Sequence, residues 1–443
     1  TCRARGIEVL RVTNLQNEGP GSLRAAVEAS RDDRLSIIVF RVGGYIDLGR
    51  DIELRDRSCL YFAGQTAPGD GITIRRGPGR SFYIKGTSHD IVFRHLRFRG
   101  GYSGNYRGHI GIQVGSGEDY ILDHLSMGWT TDKAITIKKS ATSWSHAVRR
   151  VSVQRTILAE IFADHPTAMQ VSGENNDGAT DWRLIQDISI HRNLFAHNSH
   201  RNPNVTTYGA EVVNNLVYNW QQGAVQSTRE SKLDVLSNVF EPGPMTDSRY
   251  LYEITWVCDH AGGYEPSLHV AGNIGPHNSD PEADNWTGGS RMVACYYDTG
   301  DGVPGTELPS EYRRNEPLPQ PRWPVNVKSA ASVRNDVLND VGASAGLACD
   351  GGWIARSDAV DRRVVTDVRN GTGPDEPPEN EGELGGFPTL DSGQACADSD
   401  ADGMPDAFEN RFGFDPDNPF DATRDADGDG YANIEEYINA SLS

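Results

Sequence analysis

A short run of alternating apolar and polar residues recurs seven times through the middle of the chain. Typical copies are IVFRHLRF (91–98), YILDHLSM (120–127), ISIHRNLF (188–195) and EVVNNLVY (211–218). Each copy has one polar residue at a fixed position, and these residues are His95, His124, Thr156, Asn193, Asn215, Asn238 and Asn273. The period-two alternation predicts strands rather than helical or leucine-rich repeats. The closest copies are 22 residues apart, which is typical of one coil of a solenoid.

The repeat predicts an all-β protein whose main domain is a right-handed parallel β-helix, with the handedness taken from the chirality of parallel crossovers. Asparagine side chains stacked at one position can donate hydrogen bonds from coil to coil, which explains why Asn recurs there. A β-sandwich would require more even spacing and more hairpin turns than the sequence offers.

The ends of a solenoid need caps. The stretch GPGSLRAAVEASRD (19–32) is predicted to be an amphipathic capping helix with Ser22 as its N-cap. Three insertions, at 101–118, 160–186 and 275–340, are predicted to be loops that build one wall of a groove.

The net charge of −20 is concentrated at one end of the chain. Residues 371–443 contain 19 acidic residues and two arginines, so the rest of the chain is nearly neutral and need not repel a polyanion. We predict a parallel β-helix catalytic domain over 1–370, an acidic Pro/Gly-rich linker over 371–394 and a tandem calcium-loop module over 395–443.

Two segments of the tail match the calcium-loop pattern D-x-D-x-D-G-x5-E. The predicted metal ligands are Asp398, Asp400, Asp402 and Glu409 in the first loop, and Asp425, Asp427, Asp429 and Glu436 in the second. Carboxylates at this spacing suit a hard cation, and each loop runs into a short helical stretch, as in EF-hand, dockerin or thrombospondin type-3 loops. Ca²⁺ is therefore the predicted cofactor, and a solvated acidic segment is the alternative.

Six scattered cysteines contain no CxxC pair. Their even number predicts disulfides in a protein that is secreted or at the cell surface, although six buried thiols in a cytosolic protein would give the same count. No apolar run approaches the ~20 residues that a membrane helix requires. We expect no membrane partner, no nucleic-acid partner and a monomer.

Several stretches together resemble one family, the bacterial pectate lyases of the parallel β-helix type, polysaccharide lyase family 1. They include ILDHLSMGWTTDKAITI (121–137), HRNLFAHNSHRNPNV (191–205) and DAVDRRVVTDVRNGTG (358–373). The resemblance implies calcium-dependent cleavage of (1→4)-α-D-galacturonan (pectate) by β-elimination, which gives unsaturated oligouronides. The implied partner is an acidic plant-type polysaccharide, polygalacturonate or pectin.

The resemblance also implies roles for individual residues. Arg201, in a turn stiffened by Pro203, is similar to the arginine that acts as the base in this family. Asp123 and Asp132 match the family's calcium-binding acidic positions. The residue after Asp132 is often Glu in the family, but here it is Lys133. Because the ordinary pKa of arginine is above ~12, an arginine base requires either strong local lowering of its pKa or a very alkaline optimum.

Two further residues are predicted to bind the substrate, His165 and Arg192. The lysine that the family carries near this histidine is absent, and Asn204 stands where many members have a second arginine.

Three other functions stay open. The chain could be a β-helix glycoside hydrolase acting on pectin, but that chemistry needs paired carboxylates on neighbouring coils, and Asp32 and Asp33 follow the cap helix instead. It could be a lyase for another uronan, or a non-catalytic polysaccharide-binding surface protein.

Overall fold

The structure is a computed structural model that describes residues 2–76, 79–102, 104, 108–138, 147–172, 182–258, 266–296, 307–319 and 324–442. Within these residues, three parallel sheets form the faces of a solenoid, and the prediction of a parallel β-helix is confirmed. Parts of the three predicted loop insertions, at 103, 105–107, 173–181, 297–306 and 320–323, lie outside the described residues.

The three sheets are named A, B and C. Sheet A contains β1 (Ile7–Val12), β2 (Leu35–Phe40), β5 (Ser58–Ala63), β8 (His89–Arg94), β11 (Gly117–Asp123), β14 (Val148–Gln154), β17 (Ile185–His191), β20 (Ala210–Val213), β23 (Lys232–Leu236) and β26 (Ser267–Ala271). Sheet B contains β3 (Gly44–Leu48), β6 (Ile72–Arg76), β9 (Arg97–Arg99), β12 (Ser126–Gly128), β15 (Ile157–Ala159), β18 (Leu194–Ala196), β21 (Leu216–Tyr218) and β24 (Val239–Glu241). Sheet C contains β4 (Ile52–Arg55), β7 (Arg80–Lys85), β10 (Ile110–Val114), β13 (Lys133–Lys138), β16 (Thr167–Ser172), β19 (Asn204–Thr206), β22 (Val225–Ser227), β25 (Ile254–Val257) and β27 (Val293–Tyr296).

Each full coil contributes one strand to each sheet in turn. In one coil the chain passes from β11 in sheet A through β12 in sheet B to β13 in sheet C, and every strand pairs in parallel with its counterpart one coil later. The apolar residues of all three sheets face one continuous core, because alternate side chains of a strand point to the same face.

The recurring asparagines form a ladder at the corner between sheets A and B. The Nδ2 of Asn193 donates to the Oδ1 of Asn215 (3.0 Å), Asn215 donates to Asn238 (3.0 Å), and Asn238 donates to Asn273 (2.9 Å). These side chains are fully buried, so each amide satisfies its neighbour without water. At the other end of the ladder the rings of His95 and His124 stack, with centroids 4.7 Å apart, as expected for buried polar residues at this position.

The predicted cap is helix α1 (Leu23–Ala29), with the side chain of Ser22 accepting from the backbone N–H of Ala25. Two longer helices, α2 (Ala330–Asp340) and α3 (Ala359–Asn370), cover sheet B through a second apolar cluster. Between them lies an antiparallel hairpin of β28 (Ala345–Leu347) and β29 (Trp353–Ala355).

A buried ion cluster anchors the start of α3 to sheet B. The Nη2 of Arg99 lies 2.7 Å from Asp361 and 3.1 Å from Asp358, and the Nε of Arg97 lies 3.4 Å from each carboxylate. The hydroxyl of Ser126 donates to Asp361 (2.6 Å). Arg97 is completely buried, so its charge depends on these carboxylates for compensation.

Residues 371–394 have little regular structure, as their composition indicates, but they lie against the solenoid. The ring of Phe387 packs edge-on against Trp129 (5.0 Å between centroids) and against Tyr45 (5.7 Å). The backbone N–H of Asp391 donates to the carboxylate of Asp70 (2.7 Å). The domain boundaries themselves stay a prediction.

The tail, residues 395–443, packs on the first strands of sheet A. Its helices α4 (Asp406–Phe412) and α5 (Asn433–Asn439) form an apolar cluster with β2 and β5, and the members of that cluster include Ile37, Val39, Ala63, Met404, Phe408, Ile434, Tyr437 and Ile438. Polar contacts join the same surfaces, because Arg3 lies 2.7 Å from Glu435 and Arg94 donates to Asn439 (2.9 Å). The tail therefore completes the outer layer of the first coils.

All six cysteines form disulfides, which confirms the prediction of disulfide bonds. The pairs are Cys2–Cys59, Cys258–Cys295 and Cys349–Cys396. The last pair ties the start of the tail to the hairpin after α2. In the described part of the chain, no helix is long and apolar enough to cross a membrane.

Candidate active site

Three residues singled out from the sequence lie just before successive strands of sheet C. Asp132 directly precedes β13, His165 precedes β16, and Arg201 precedes β19. Because these parallel strands are in register, their starts meet along one edge of the sheet. Hydrogen bonds between these coils confirm that the three residues are neighbours. The N–H of Met169 donates to the carbonyl of Arg201 (3.0 Å), and the hydroxyl of Thr167 donates to the carbonyl of Asp132 (3.0 Å).

The turn that carries Arg201 is held by the next coil. The N–H of Arg201 donates to the Oε1 of Gln226 (3.0 Å). The N–H of Asn202 donates to the carbonyl of Ala224 (2.9 Å), and its side chain donates to the carbonyl of Gly223 (3.1 Å). Arg201 itself has φ of 60°, which is uncommon for a residue with a side chain and needs such support. The guanidinium is therefore displayed from a fixed backbone.

The site edge is a compact group of charged residues, and we call Asp132, Lys133 and His165 the groove cluster. The Nδ1 of His165 lies 2.6 Å from the Oδ1 of Asp132, and the ammonium of Lys133 donates to the same oxygen. The Nζ of Lys133 is also 3.5 Å from the Nδ1 of His165. The lysine that the sequence lacks beside His165 is thus supplied by the preceding coil.

The pKa values of residues in and beside the groove cluster depend on burial and on the charges of their neighbours. Burial raises the pKa of Asp132, but the hydrogen bond from His165 and the charge of Lys133 outweigh it and bring the pKa to about 2. Burial lowers the pKa of Lys133, partly offset by Asp132 and reinforced by the charge of Arg201. Burial lowers the pKa of His200 to about 3, assisted by Arg201, His165 and Lys133. At this edge of sheet C, positively charged side chains lie near the carboxylate of Asp132.

The side of sheet C that faces away from the core carries a row of neutral polar residues, of which four are buried. Paired register by register from β10 to β25, they are Gln113, Thr136, Gln170, Asn204, Gln226 and Thr255. Amides and hydroxyls can donate to the oxygens of a sugar chain without repelling its charge. A sugar chain that lies along this side of sheet C would therefore meet neutral residues near a cationic edge.

Asp123 lies on another face of the solenoid. It ends β11 in sheet A, where it accepts from Arg94 (2.7 Å) and Gln154 (2.9 Å) and lies 2.9 Å from the Nδ1 of His124. The structure does not bring Asp123 and Asp132 together, because the chain turns through β12 of sheet B between them, so a calcium site shared by the two predicted ligands is not supported. The two residues are close in sequence, but two corners of the coil lie between them.

Arg192 is also displaced from the site. It follows β17 of sheet A and donates to the carbonyl of Asn326 (3.2 Å). With His191 and Gln154 it lines a separate groove over sheet A. The structure does not bring Arg192 together with Arg201 and His165, so the predicted substrate contact at this position is not supported.

The residues at the groove do not fit a resident calcium ion. Ca²⁺ takes six to eight oxygen ligands, of which several are normally carboxylates. The carboxylate of the groove cluster is that of Asp132, and an ammonium and an imidazole already engage one of its oxygens. The register position that faces Gln113 and Gln170 is Thr136, which is neutral.

The first tail loop, in contrast to the groove, contains several carboxylates close together. Carboxylate oxygens of Asp400, Asp402, Glu409 and Asp421 lie within 4.8 Å of one another. Buried oxygens of these four residues and of Asp398 have no hydrogen-bond partner. Burial, reinforced by mutual repulsion, raises the pKa of Asp402 to about 7 and that of Glu409 to about 8. These residues fit a hard divalent cation, which would remove the repulsion.

Asp421 was missed from the sequence because it lies outside the loop pattern, 12 residues beyond its last acidic position. In the folded chain Asp421 lies beside the first loop. The side chain of Asn433, at the start of α5, donates a hydrogen bond to the main-chain carbonyl of Asp421 (2.9 Å).

The second tail loop is less complete. Asp425, Asp427 and Asp429 come within 4.8 Å of one another and are exposed. Asp425 already accepts backbone hydrogen bonds from Gly428 and Gly430. Glu436 is not among the residues within this distance; it is buried and accepts from the hydroxyl of Ser441. The structure does not bring Glu436 into this ligand set, and its role as a ligand stays a prediction.

Comparisons with known proteins agree with this fold. No protein-family profile matches the chain. The chain is 31% identical over 98% of its length to a probable pectate lyase C of Emericella nidulans, of which it covers 89%, and 30% identical over 98% to the same protein of Aspergillus terreus, also covered to 89%. Among solved structures, it resembles Jun a 1, the major allergen from cedar pollen, with a TM-score of 0.51 at 13% identity, covering 76% of this chain and 89% of that one.

Fold and relatives together define a polysaccharide lyase built on a parallel β-helix. The chain belongs to the pectate lyase family. The family resemblance inferred from the sequence is confirmed, but these relatives are fungal rather than bacterial.

Proposed function

We propose that the protein cleaves (1→4)-α-D-galacturonan by β-elimination and releases unsaturated oligouronides, with Arg201 as the base. The proposal is supported chiefly by one observation: an arginine fixed in a turn at the edge of a neutral groove, beside a cluster that attracts carboxylates. The names of the relatives, probable pectate lyases C, favour the same substrate.

For this reaction the protein has to position a base and to supply positive charge near the substrate carboxylate. The proton on C5 of a uronate passes to the base, the C5–H electron pair becomes the C4–C5 double bond, and the C4–O pair leaves with the glycosidic oxygen, which takes a proton from water. Negative charge builds beside the substrate carboxylate during the first step. A base must lie within hydrogen-bond reach of that proton, and nearby cations must stabilise the carbanion.

A hydrolase is less well supported. Hydrolysis of a glycosidic bond requires two carboxyl groups on opposite sides of it. At the groove edge Asp132 is engaged by two basic groups, and Asp32, the first acid after the cap helix, accepts from the backbone of Ser58 in sheet A (3.1 Å).

One assay separates the candidate functions. Purified protein is incubated with polygalacturonate, and both near-ultraviolet absorbance and reducing ends are followed. A lyase raises both signals, a hydrolase raises reducing ends alone, and a binding protein raises neither. Alginate and other uronans, tested in parallel, would reveal a lyase with a different substrate. No absorbance change with any uronan would refute the proposed function.

We also propose that the calcium of this protein resides in the tail. Asp398, Asp400, Asp402, Glu409 and Asp421 would hold it, and the ion would order the tail on the first coils of sheet A. This is a structural contribution, because the loop lies against β2 and β5 and not against sheet C. The three disulfides favour a secreted protein in an oxidising environment.

Removing calcium is expected to lower the thermal unfolding midpoint. An ion that binds only the folded state contributes about 2.7 kcal/mol when its concentration is a hundred times Kd. Glu409→Gln, which removes a fully buried ligand, should abolish most of the difference between calcium-loaded and chelated protein in differential scanning calorimetry.

Asp427→Asn, in the exposed second loop, is the matched control and should retain most of that difference. Equal sensitivity of Glu409→Gln and wild type to calcium would show that the ion binds elsewhere.

A further inference from the structure

The groove cluster contains cations where calcium would be expected to act. We propose that Lys133 binds the carboxylate of the reacting uronate while Arg201 takes the proton from C5, and that catalysis at the groove proceeds without a resident calcium ion. The inference rests on the proposed β-elimination, and it assigns to the ammonium of Lys133 the charge neutralisation that a metal would otherwise supply.

The first step of the argument is the state of Asp132. Its Oδ1 accepts from both Lys133 and His165. A calcium ion at this oxygen would face an ammonium group within hydrogen-bond distance of the same atom. That like-charge contact in a partly buried site opposes metal binding, whereas an incoming carboxylate would be attracted by the same ammonium.

The second step is position. Lys133 pairs in register with Thr167, and Thr167 forms a bridge with His200, the residue before Arg201. Lys133 and His200 are therefore two strands apart, which is about 10 Å at the spacing of neighbouring strands. Long side chains from both sides of this gap can reach one sugar unit. Lys133 would bind its carboxylate while Arg201 reaches the proton on C5.

The third step is the order of Lys133. Lys133 is only 6% exposed, and Asp132 accepts a hydrogen bond from its ammonium and holds it in place. An ammonium that is already partly desolvated and oriented loses little entropy when it binds an anion. Asp132 is thereby a positioning residue for Lys133 rather than a ligand of a metal.

The fourth step is the row of neutral residues on sheet C. From β10 to β25, one register row of sheet C consists of amides and hydroxyls, and Thr136 is its member on the strand that begins at Lys133. A carboxylate-rich calcium site would add negative charge where the polyanionic substrate has to lie. The neutral row avoids that repulsion.

The test begins with calcium itself. Initial rates of unsaturated-product formation are measured on polygalacturonate with calcium and with a chelator, at matched ionic strength and at a temperature where circular dichroism shows the chelated protein folded. We expect the two rates to agree within about twofold, since no group that acts in the transition state is removed. A fall of about 100-fold or more with the fold intact, as expected when a charge-stabilising metal is lost, would overturn the inference.

The second measurement is on Lys133→Gln, with Lys138→Gln on the same strand as its matched control. Loss of a charged hydrogen bond to substrate is expected to lower kcat/KM of Lys133→Gln about 10- to 100-fold, while Lys138→Gln stays within about twofold of wild type. Lys133→Arg, which keeps the charge, should recover part of the loss. Equal rates for Lys133→Gln and wild type would overturn the inference.

A third measurement distinguishes carboxylate binding from a structural role of Lys133. Galacturonan of increasing methyl-ester content presents fewer charged carboxylates, so the ratio of wild-type to Lys133→Gln activity should fall as ester content rises. A constant ratio would mean that Lys133 only supports the fold, and would overturn the inference. If wild type makes no unsaturated product from any uronan, the proposed lyase function itself fails, which is a separate result.

Discussion

Arg201→Ala is expected to lower kcat on polygalacturonate by about 10²- to 10⁴-fold, the contribution typical of a positioned general base. Substrate binding should change much less, because proton removal is an interaction of the transition state and not of the ground state. The backbone of the turn is held by Gln226, Ala224 and Gly223, so we expect no change in circular dichroism or melting temperature. Steady-state kinetics and the affinity for oligogalacturonate measure the two effects separately.

Arg201→Lys separates the base role from simple attraction. Lysine keeps the positive charge but loses the planar group and its fork of donors. If Arg201 is the base, this variant should be nearly as inactive as Arg201→Ala, at low and at high salt. A fully active Arg201→Lys enzyme would refute the assignment. Arg150→Ala, an exposed arginine on sheet A paired with Asp119 (2.6 Å), is the control and should keep normal activity.

Asp361→Ala is expected to destabilise the protein by about 3–5 kcal/mol, the cost of leaving a buried charge without its partner. The carboxylate compensates Arg97 and Arg99 and accepts from Ser126, and all of these groups are buried. Removing it would loosen α3 from sheet B. The free energy of unfolding, measured by chemical denaturation, reports the effect.

Asp336→Ala on α2 provides the comparison for Asp361→Ala. Asp336 pairs with Lys328 at 2.7 Å, but both side chains are substantially exposed. Such a surface pair contributes about 0–1 kcal/mol. Similar losses for the two variants would contradict the role given to the buried ion cluster.

The repeat was sufficient to predict the solenoid and its ladder. Strands of alternating polarity must bury one face, and Asn193, Asn215 and Asn238 at one position can satisfy each other only if the coils stack in register. The same strand pattern occurs in every coil, so a misread pattern in one copy would not have changed the predicted fold.

The groove was harder to predict, because it depends on which face of a coil each residue occupies. Asp123 and Asp132 are close in sequence but belong to different sheets. Lys133 and His165 are 32 residues apart, the same interval that separates His124 from Thr156 at the fixed polar position. That shared interval is the signal that could have placed the lysine beside the histidine.

Side chains that meet through tertiary packing left no signal of this kind. Asp421 joins the first tail loop because α5 folds back on it, and no loop pattern includes that position. The docking of the tail on Ile37 and Val39 was equally invisible, since the repeats describe contacts between neighbouring coils and not contacts between distant parts of the chain.

The position of the tail has a consequence for the biosynthesis of this protein. The outer face of β2 is covered by Ile434 and Ile438, which are synthesised long after β2. During synthesis the early coils therefore form with an apolar surface still open, and a nascent chain with such a surface is prone to aggregate or to bind chaperones. We expect completion of the first coils to wait until the tail has been synthesised and calcium is available. A pulse of protease on nascent chains should cleave the early coils readily until residues 395–443 have emerged and docked.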